Sequence, residues 1–143
     1  MRFDWRLGVV IVLLAGLVGA QRPPAAAAAE NPRMTTVYLV LLKKGPAWTA
    51  EVTPASQAIQ EAHMASIRAL WQAHKMIVAG PVEDQADLRG IFVFQAGSLE
   101  EAKALAASDP AVKAGRLLPV VYPWWVEKGA LPEAGTYCTA PAK

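Results

Sequence analysis

The chain is poor in the residues that metal and redox chemistry use. Its 143 residues carry a single cysteine, Cys138, and two histidines, His63 and His74. One thiol excludes an intramolecular disulfide, so the fold has to be held by its core. No Cys/His cluster has zinc spacing, and the two histidines are too far apart to bind a metal as an i, i+4 helix pair would. An excess of one charge is missing as well: 14 Lys and Arg stand against 12 Asp and Glu, for a formal charge of +2. The basic face that nucleic-acid binding needs is therefore not expected. There is no glycine-rich phosphate loop and no G-x-S-x-G nucleophile turn. Neither a cofactor nor a metal ion is expected.

What is abundant is apolar side chain, 54% of the residues, enough for one core and about one domain. The first residues have a three-part pattern: Arg2 and Arg6 as a positive leader, an apolar stretch from Leu7 to Leu17, and small residues at Val18-Gly19-Ala20. This pattern predicts a secretory signal peptide over 1–20, because the apolar run is shorter than the roughly 20 residues that span a bilayer. The expected location is periplasmic or secreted, with membrane contact only through an uncleaved signal segment. No cysteine follows the run to take a lipid anchor. Residues 21–34, rich in Ala and Pro, have no apolar period and predict a disordered linker. A folded domain is expected over 35–128 and a tail over 129–143.

Within the domain, Thr36 to Leu42 is a β-branched and aliphatic run that ends at Lys43-Lys44-Gly45-Pro46, which suits a strand and its turn. Trp48 falls in the loop beyond, where a packing lid is the plain reading. Thr53-Pro54 supplies an N-cap and a first-turn proline for a helix to about His74. Ile59, His63, Ile67, Leu70 and His74 recur at helical spacing and share a face. Strands follow at Met76–Ala79 and Ile91–Phe94. Ser98 and Glu101 have capping-box spacing for a second helix to about Ser108. Asp109-Pro110 begins a short turn closed at Gly115, and Leu117 to Val126 is the last strand. Pro119 and Pro123 cannot donate ladder hydrogen bonds, so that strand is expected at an edge, bulged, or shorter than its apolar run suggests.

The order strand, helix, strand, strand, helix, strand predicts an α+β, ferredoxin-like βαββαβ fold with an antiparallel sheet. The first and third strands are apolar at odd and even positions alike, so both faces of the sheet leave water, yet two helices cover only one. A second copy packed face to face, a homodimer, is the expected cover. Trp124 and Trp125 are expected on opposite faces of the last strand.

His63, Leu70, Gly80-Pro81, Gly90, Ser98 with Glu100-Glu101-Ala102, Asp109-Pro110, Ala114-Gly115 and Pro123-Trp124 together resemble the YCII-related (YciI-like) domain family over about Thr36 to Lys128. The resemblance departs at His74-Lys75, where a glycine is usual, and in the Pro- and Trp-rich last strand. It implies a dimeric α+β barrel whose active site pairs the helix histidine with the Asp-Pro aspartate, here His63 and Asp109. Read apart from the family, His63 is either a satisfied core residue or a general acid/base, and Asp109 is either a helix cap or the partner of an imidazole. Two functions follow. One is a small-molecule enzyme of isomerase or lyase (dehydrochlorinase) type, in which the His/Asp pair transfers a proton next to a carbonyl. The other is a non-catalytic periplasmic dimer that binds a small organic molecule. Haem held by His63 is a third reading, because related barrels hold haem.

Overall fold

In a computed structural model, residues 31–83 and 86–136 of the chain are described. The expected signal peptide, most of the linker and Cys138 lie outside the described residues. Among those residues, no helix is long and apolar enough to cross a membrane.

Four strands make one antiparallel sheet in the order β2-β3-β1-β4: β1 is Met34–Lys44, β2 Met76–Pro81, β3 Leu88–Phe94 and β4 Leu117–Glu127. Three helices accompany it: α1 (Pro54–Gln72), α2 (Leu99–Ser108) and the single turn α3 (Pro110–Lys113). This is the ferredoxin-like α+β arrangement. The two apolar runs β1 and β3 take the centre of the sheet, where both ladders are used. β4, with Pro119 and Pro123, takes an edge, where a missing N–H costs no second ladder.

Local chemistry sets the helix ends. Thr53 Oγ1 accepts from the Ser56 N–H at 3.1 Å while Ser56 Oγ accepts from the Thr53 N–H at 2.9 Å, a reciprocal box ahead of Pro54. α1 stops at Gln72 rather than His74, because His74 takes a left-handed φ of 55°. At α2, Ser98 Oγ accepts from the Glu101 N–H as expected. The Glu101 carboxylate does not close the box on Ser98 but accepts from the Gly97 N–H and from Lys75 Nζ.

The alternation of each strand sorts two cores. Tyr38, Val40, Leu42, Phe92, Phe94 and Met76 face the helices and meet Ile67 of α1 and Ala102 and Ala106 of α2. Phe92, Phe94, Met76 and Val40 are fully buried, each contributing about 1.5–3 kcal/mol of transfer free energy. Val37, Ile77, Val93 and Val126 face the other way. Part of that second face is covered by the chain itself: Leu131 and Ala134 pack on it, and the Gly135 N–H donates to the Met76 carbonyl at 3.1 Å. No other segment among the described residues covers the remainder. Register places Leu39, Leu41 and Ile91 on it beside Leu118, Tyr122 and Trp124, which are 52%, 48% and 40% exposed. Trp125, one residue on, faces the helix side, opposite Thr36.

Candidate active site

The site lies between α1 and the end of the sheet where β1 finishes and β3 and β4 begin. α1 presents His63 and Ile67 as its buried apolar-face residues, and the imidazole stacks on Phe92 of β3 with ring centroids 5.8 Å apart and planes 25° apart. Asp109 is carried by the junction of the two shorter helices, ending α2 and beginning α3. Its Oδ1 accepts from the Ala111 N–H at 2.8 Å and from the Val112 N–H at 3.4 Å, so it caps α3 as an aspartate before proline should.

The same carboxylate also holds the imidazole. His63 Nδ1 lies 2.8 Å from Asp109 Oδ2 and 2.9 Å from Oδ1. The two residues are 8% and 1% exposed, so the contact is dry. A carboxylate accepts, so Nδ1 carries a proton, and in the neutral ring it is Nε2 that has the lone pair. The capping and imidazole-binding readings of Asp109 are therefore both satisfied by one side chain. Burying that carboxylate is tolerable because backbone N–H groups at a helix start and the ring N–H all point at it.

A cavity of about 420 Å³ opens beside the ring. His63 is in its wall and Asp109 is not; the aspartate stands behind the imidazole, and only the ring reaches the open space. The remaining wall is largely apolar and aromatic, with Leu42, Trp48, Ile67, Trp71 and Phe92, and Met64 and Gln60 toward solvent. Arg89 of β3 lines it too. In its neutral form, an imidazole with a fixed tautomer at the wall of a largely apolar cavity can take a proton from carbon or oxygen, and its carboxylate partner stabilises the imidazolium that results.

Trp48, read from the sequence as a packing lid, is a cavity wall. The turn that carries it is fastened to the start of β4: the Gly45 N–H donates to the Arg116 carbonyl at 3.0 Å, and the Ala47 N–H to the Gly115 carbonyl at 2.9 Å. A Cβ at Gly45 would sit 2.2 Å from that Gly115 oxygen, so only glycine allows the approach. Arg89 and Trp71 were not legible as site residues. Arg89 precedes Gly90 in a strand whose alternation speaks of packing, and Trp71 continues the apolar face of α1.

No curated protein sequence matches this chain. Among solved structures, it is similar to 5-chloro-2-hydroxyhydroquinone dehydrochlorinase (TftG) from Burkholderia phenoliruptrix AC1100 in complex with 2,5-dihydroxybenzoquinone. The identity is 26% and the TM-score 0.46, over 62% of this chain and 92% of that one. The YCII-related domain family matches residues 36–124, from the first residues of β1 to Trp124 of β4, and includes both His63 and Asp109. The chain belongs to the YCII-related domain family.

Proposed function

We propose that this protein is a small-molecule enzyme in which His63 is the general base and acid and Asp109 is its orienting partner. One observation carries the reading: a buried imidazole is hydrogen-bonded through Nδ1 to a buried carboxylate, and its ring lines a cavity sized for a small organic molecule. Nε2 takes a proton from the carbon next to a carbonyl, and the C–H electron pair becomes the enolate. The imidazolium either returns the proton at a conjugated carbon, completing an isomerisation, or the enolate expels a leaving group with its bonding pair, completing an elimination. In the second case the imidazolium gives its proton to water.

The test needs no prior substrate. Small unsaturated lactones and ring ketones are incubated with the protein in D₂O, and deuterium uptake at carbon is followed by NMR. The expected result is catalysed exchange that falls about 10²- to 10⁴-fold in His63→Ala. Equal exchange in wild type and variant overturns the reading.

The same proposal includes a homodimer, with the second sheet face around Leu39, Leu41, Tyr122 and Trp124 as the seam. Its support is the apolar character of that face and the exposure of Leu118, Tyr122 and Trp124 on it. Tyr122→Glu with Trp124→Glu would leave a folded monomer in sedimentation analysis; a wild type that sediments as a monomer removes the dimer from the proposal.

A further inference from the structure

One wall of the cavity comes from a loop. Leu42, Ile67, Phe92 and Leu117 belong to the strands and the long helix, and they build the core as well as the cavity. Trp48 belongs to the loop between β1 and α1 and is half-buried, so its ring borders the core rather than filling it. A loop side chain of that size sets a boundary only if it is held, because a free indole changes rotamer and the wall moves with it.

The segment that holds it is the one that carries Asp109. From Asp109 the chain makes α3 and leaves it through a left-handed glycine: Gly115 has a φ of +67°, its N–H donates to the Val112 carbonyl at 2.9 Å, and the Arg116 N–H donates to the Ala111 carbonyl at 2.9 Å. The Gly115 and Arg116 carbonyls accept the N–H groups of Ala47 and Gly45, and the Trp48 N–H closes the turn on the Gly45 carbonyl at 3.0 Å. The ring itself is gripped from the same place. The Arg116 guanidinium carbon lies 4.6 Å from the centre of the Trp48 ring, and that of Arg89 lies 4.8 Å from it. A guanidinium this close to an indole is attracted to its π face, the more so away from water. No ion pair to Arg116 occurs among the described residues, so the ring is what its charge meets. The segment 109–116 thus sets the imidazole at one end, through Asp109, and the indole at the other, through Gly115 and Arg116.

We infer that Trp48 determines the size of ligand the cavity accepts, and that Arg116, which is outside the wall, is a positioning residue that acts by holding the Trp48 ring. One segment holds both the imidazole and the indole, so the span between them is fixed. A ligand is selected by how far it extends beyond the end that meets His63. The inference rests on the proposed active site only in taking this cavity as the binding site; it does not depend on His63 being a base.

The test uses the full chain and ring ketones of increasing length: cyclohexanone, 4-methylcyclohexanone, 4-tert-butylcyclohexanone and 4-phenylcyclohexanone. Affinities are measured by ligand-observed NMR, and the readout is the affinity ratio of the longest ketone to the shortest, in which a general loss of affinity cancels. Trp48→Ala is expected to raise that ratio about tenfold or more, because the added ring is taken up where the indole stood. Arg116→Met keeps the indole but releases it, and raises the ratio several-fold. Arg116→Lys, which keeps a cation at the ring, stays nearer the wild type. Were Arg116 only a structural residue, Arg116→Met would lower stability and leave the ratio in place, which overturns its assigned role. His63→Ala keeps the wild-type ratio even where it abolishes deuterium exchange, so failure of the base reading and failure of this inference are separate results. An unchanged ratio in Trp48→Ala overturns the inference. So does a failure of all four ketones to bind either the wild type or that variant. Should Trp48→Ala not fold, Trp48→Phe decides the matter with a smaller ring: a ratio that does not rise overturns the inference.

Discussion

The two histidines make the same bond in different places. His63, midway along α1, donates from Nδ1 to the Asp109 carboxylate, and His74, just beyond the end of that helix, donates from Nδ1 to the Ala134 carbonyl at 2.9 Å. One ring is buried between a carboxylate and Phe92; the other is exposed and left-handed. The difference lies in the acceptor. A carboxylate orients the ring and also stabilises its charged form, whereas a carbonyl orients it and does little more. His74 occupies the left-handed position where glycine commonly ends a helix. In place of glycine's freedom it supplies a clamp on the segment that covers part of the second sheet face.

The largest effect that would break this comparison is expected at the buried pair. Asp109→Ala removes the cap of α3 and leaves a buried imidazole N–H without its acceptor. A loss of about 2–4 kcal/mol is expected in denaturant unfolding. Asp109→Asn keeps an acceptor but not the charge, so the fold should survive while proton exchange falls about a hundredfold.

Next comes the clamp. Gly135 has a φ of +84°, and a Cβ there would meet His74 Nδ1 at 2.6 Å and the Trp71 carbonyl at 2.9 Å. Gly135→Ala should cost about 2 kcal/mol and lift Leu131 and Ala134 from the sheet, seen as faster amide exchange at Gly135. At His74 itself two substitutions separate strain from bonding. His74→Ala keeps the left-handed strain and loses the hydrogen bond, costing about 1 kcal/mol. His74→Gly loses the bond and relieves the strain, leaving stability nearly unchanged. Equal losses in the two variants would show that the clamp, not the backbone, sets the preference for histidine.

The smallest effect concerns an exposed pair at the start of α2. The Lys75 ammonium, 2.8 Å from Glu101, and then the Gly97 N–H hold the Glu101 carboxyl below its usual range. A lowered folded-state value means that its contribution is present above the unfolded value and is lost as pH falls through the folded one. Glu101→Gln should therefore lower stability slightly near neutral pH and flatten the acid limb of the stability curve by the same small amount. Tyr38 has the opposite sign. Burial first, then Glu100 and Glu101, raise its hydroxyl, so any contribution it makes is lost only as pH rises through that raised value.

Much of this was legible in order along the chain. Thr53-Pro54, Ser98 and Asp109-Pro110 are local signals, each naming a helix start through a side chain that reaches its own next turn. Pro119 and Pro123 restrict β4 for an equally local reason, and of the edge, bulged or shortened strand they allow, the sheet order selects the edge. Two things were hidden. The cover over Val37 and Val126 comes from Leu131 and Ala134, in a stretch whose spacing has no helix or strand period. Glu101 has the right spacing for a box, but its carboxylate reaches Gly97 and Lys75, and Lys75 is brought there by the strand order.

By itself, the sequence determined which segments become strand or helix and that β1 and β3 want apolar surroundings on both sides, because propensity, capping and alternation act over a few residues. Only the tertiary structure decided that His63 meets Asp109, that Trp48 lies beneath two arginines and that the chain partly covers its own second face. Those contacts join residues tens of positions apart, and their partners are set by sheet order and helix docking, for which no short stretch of sequence carries a period.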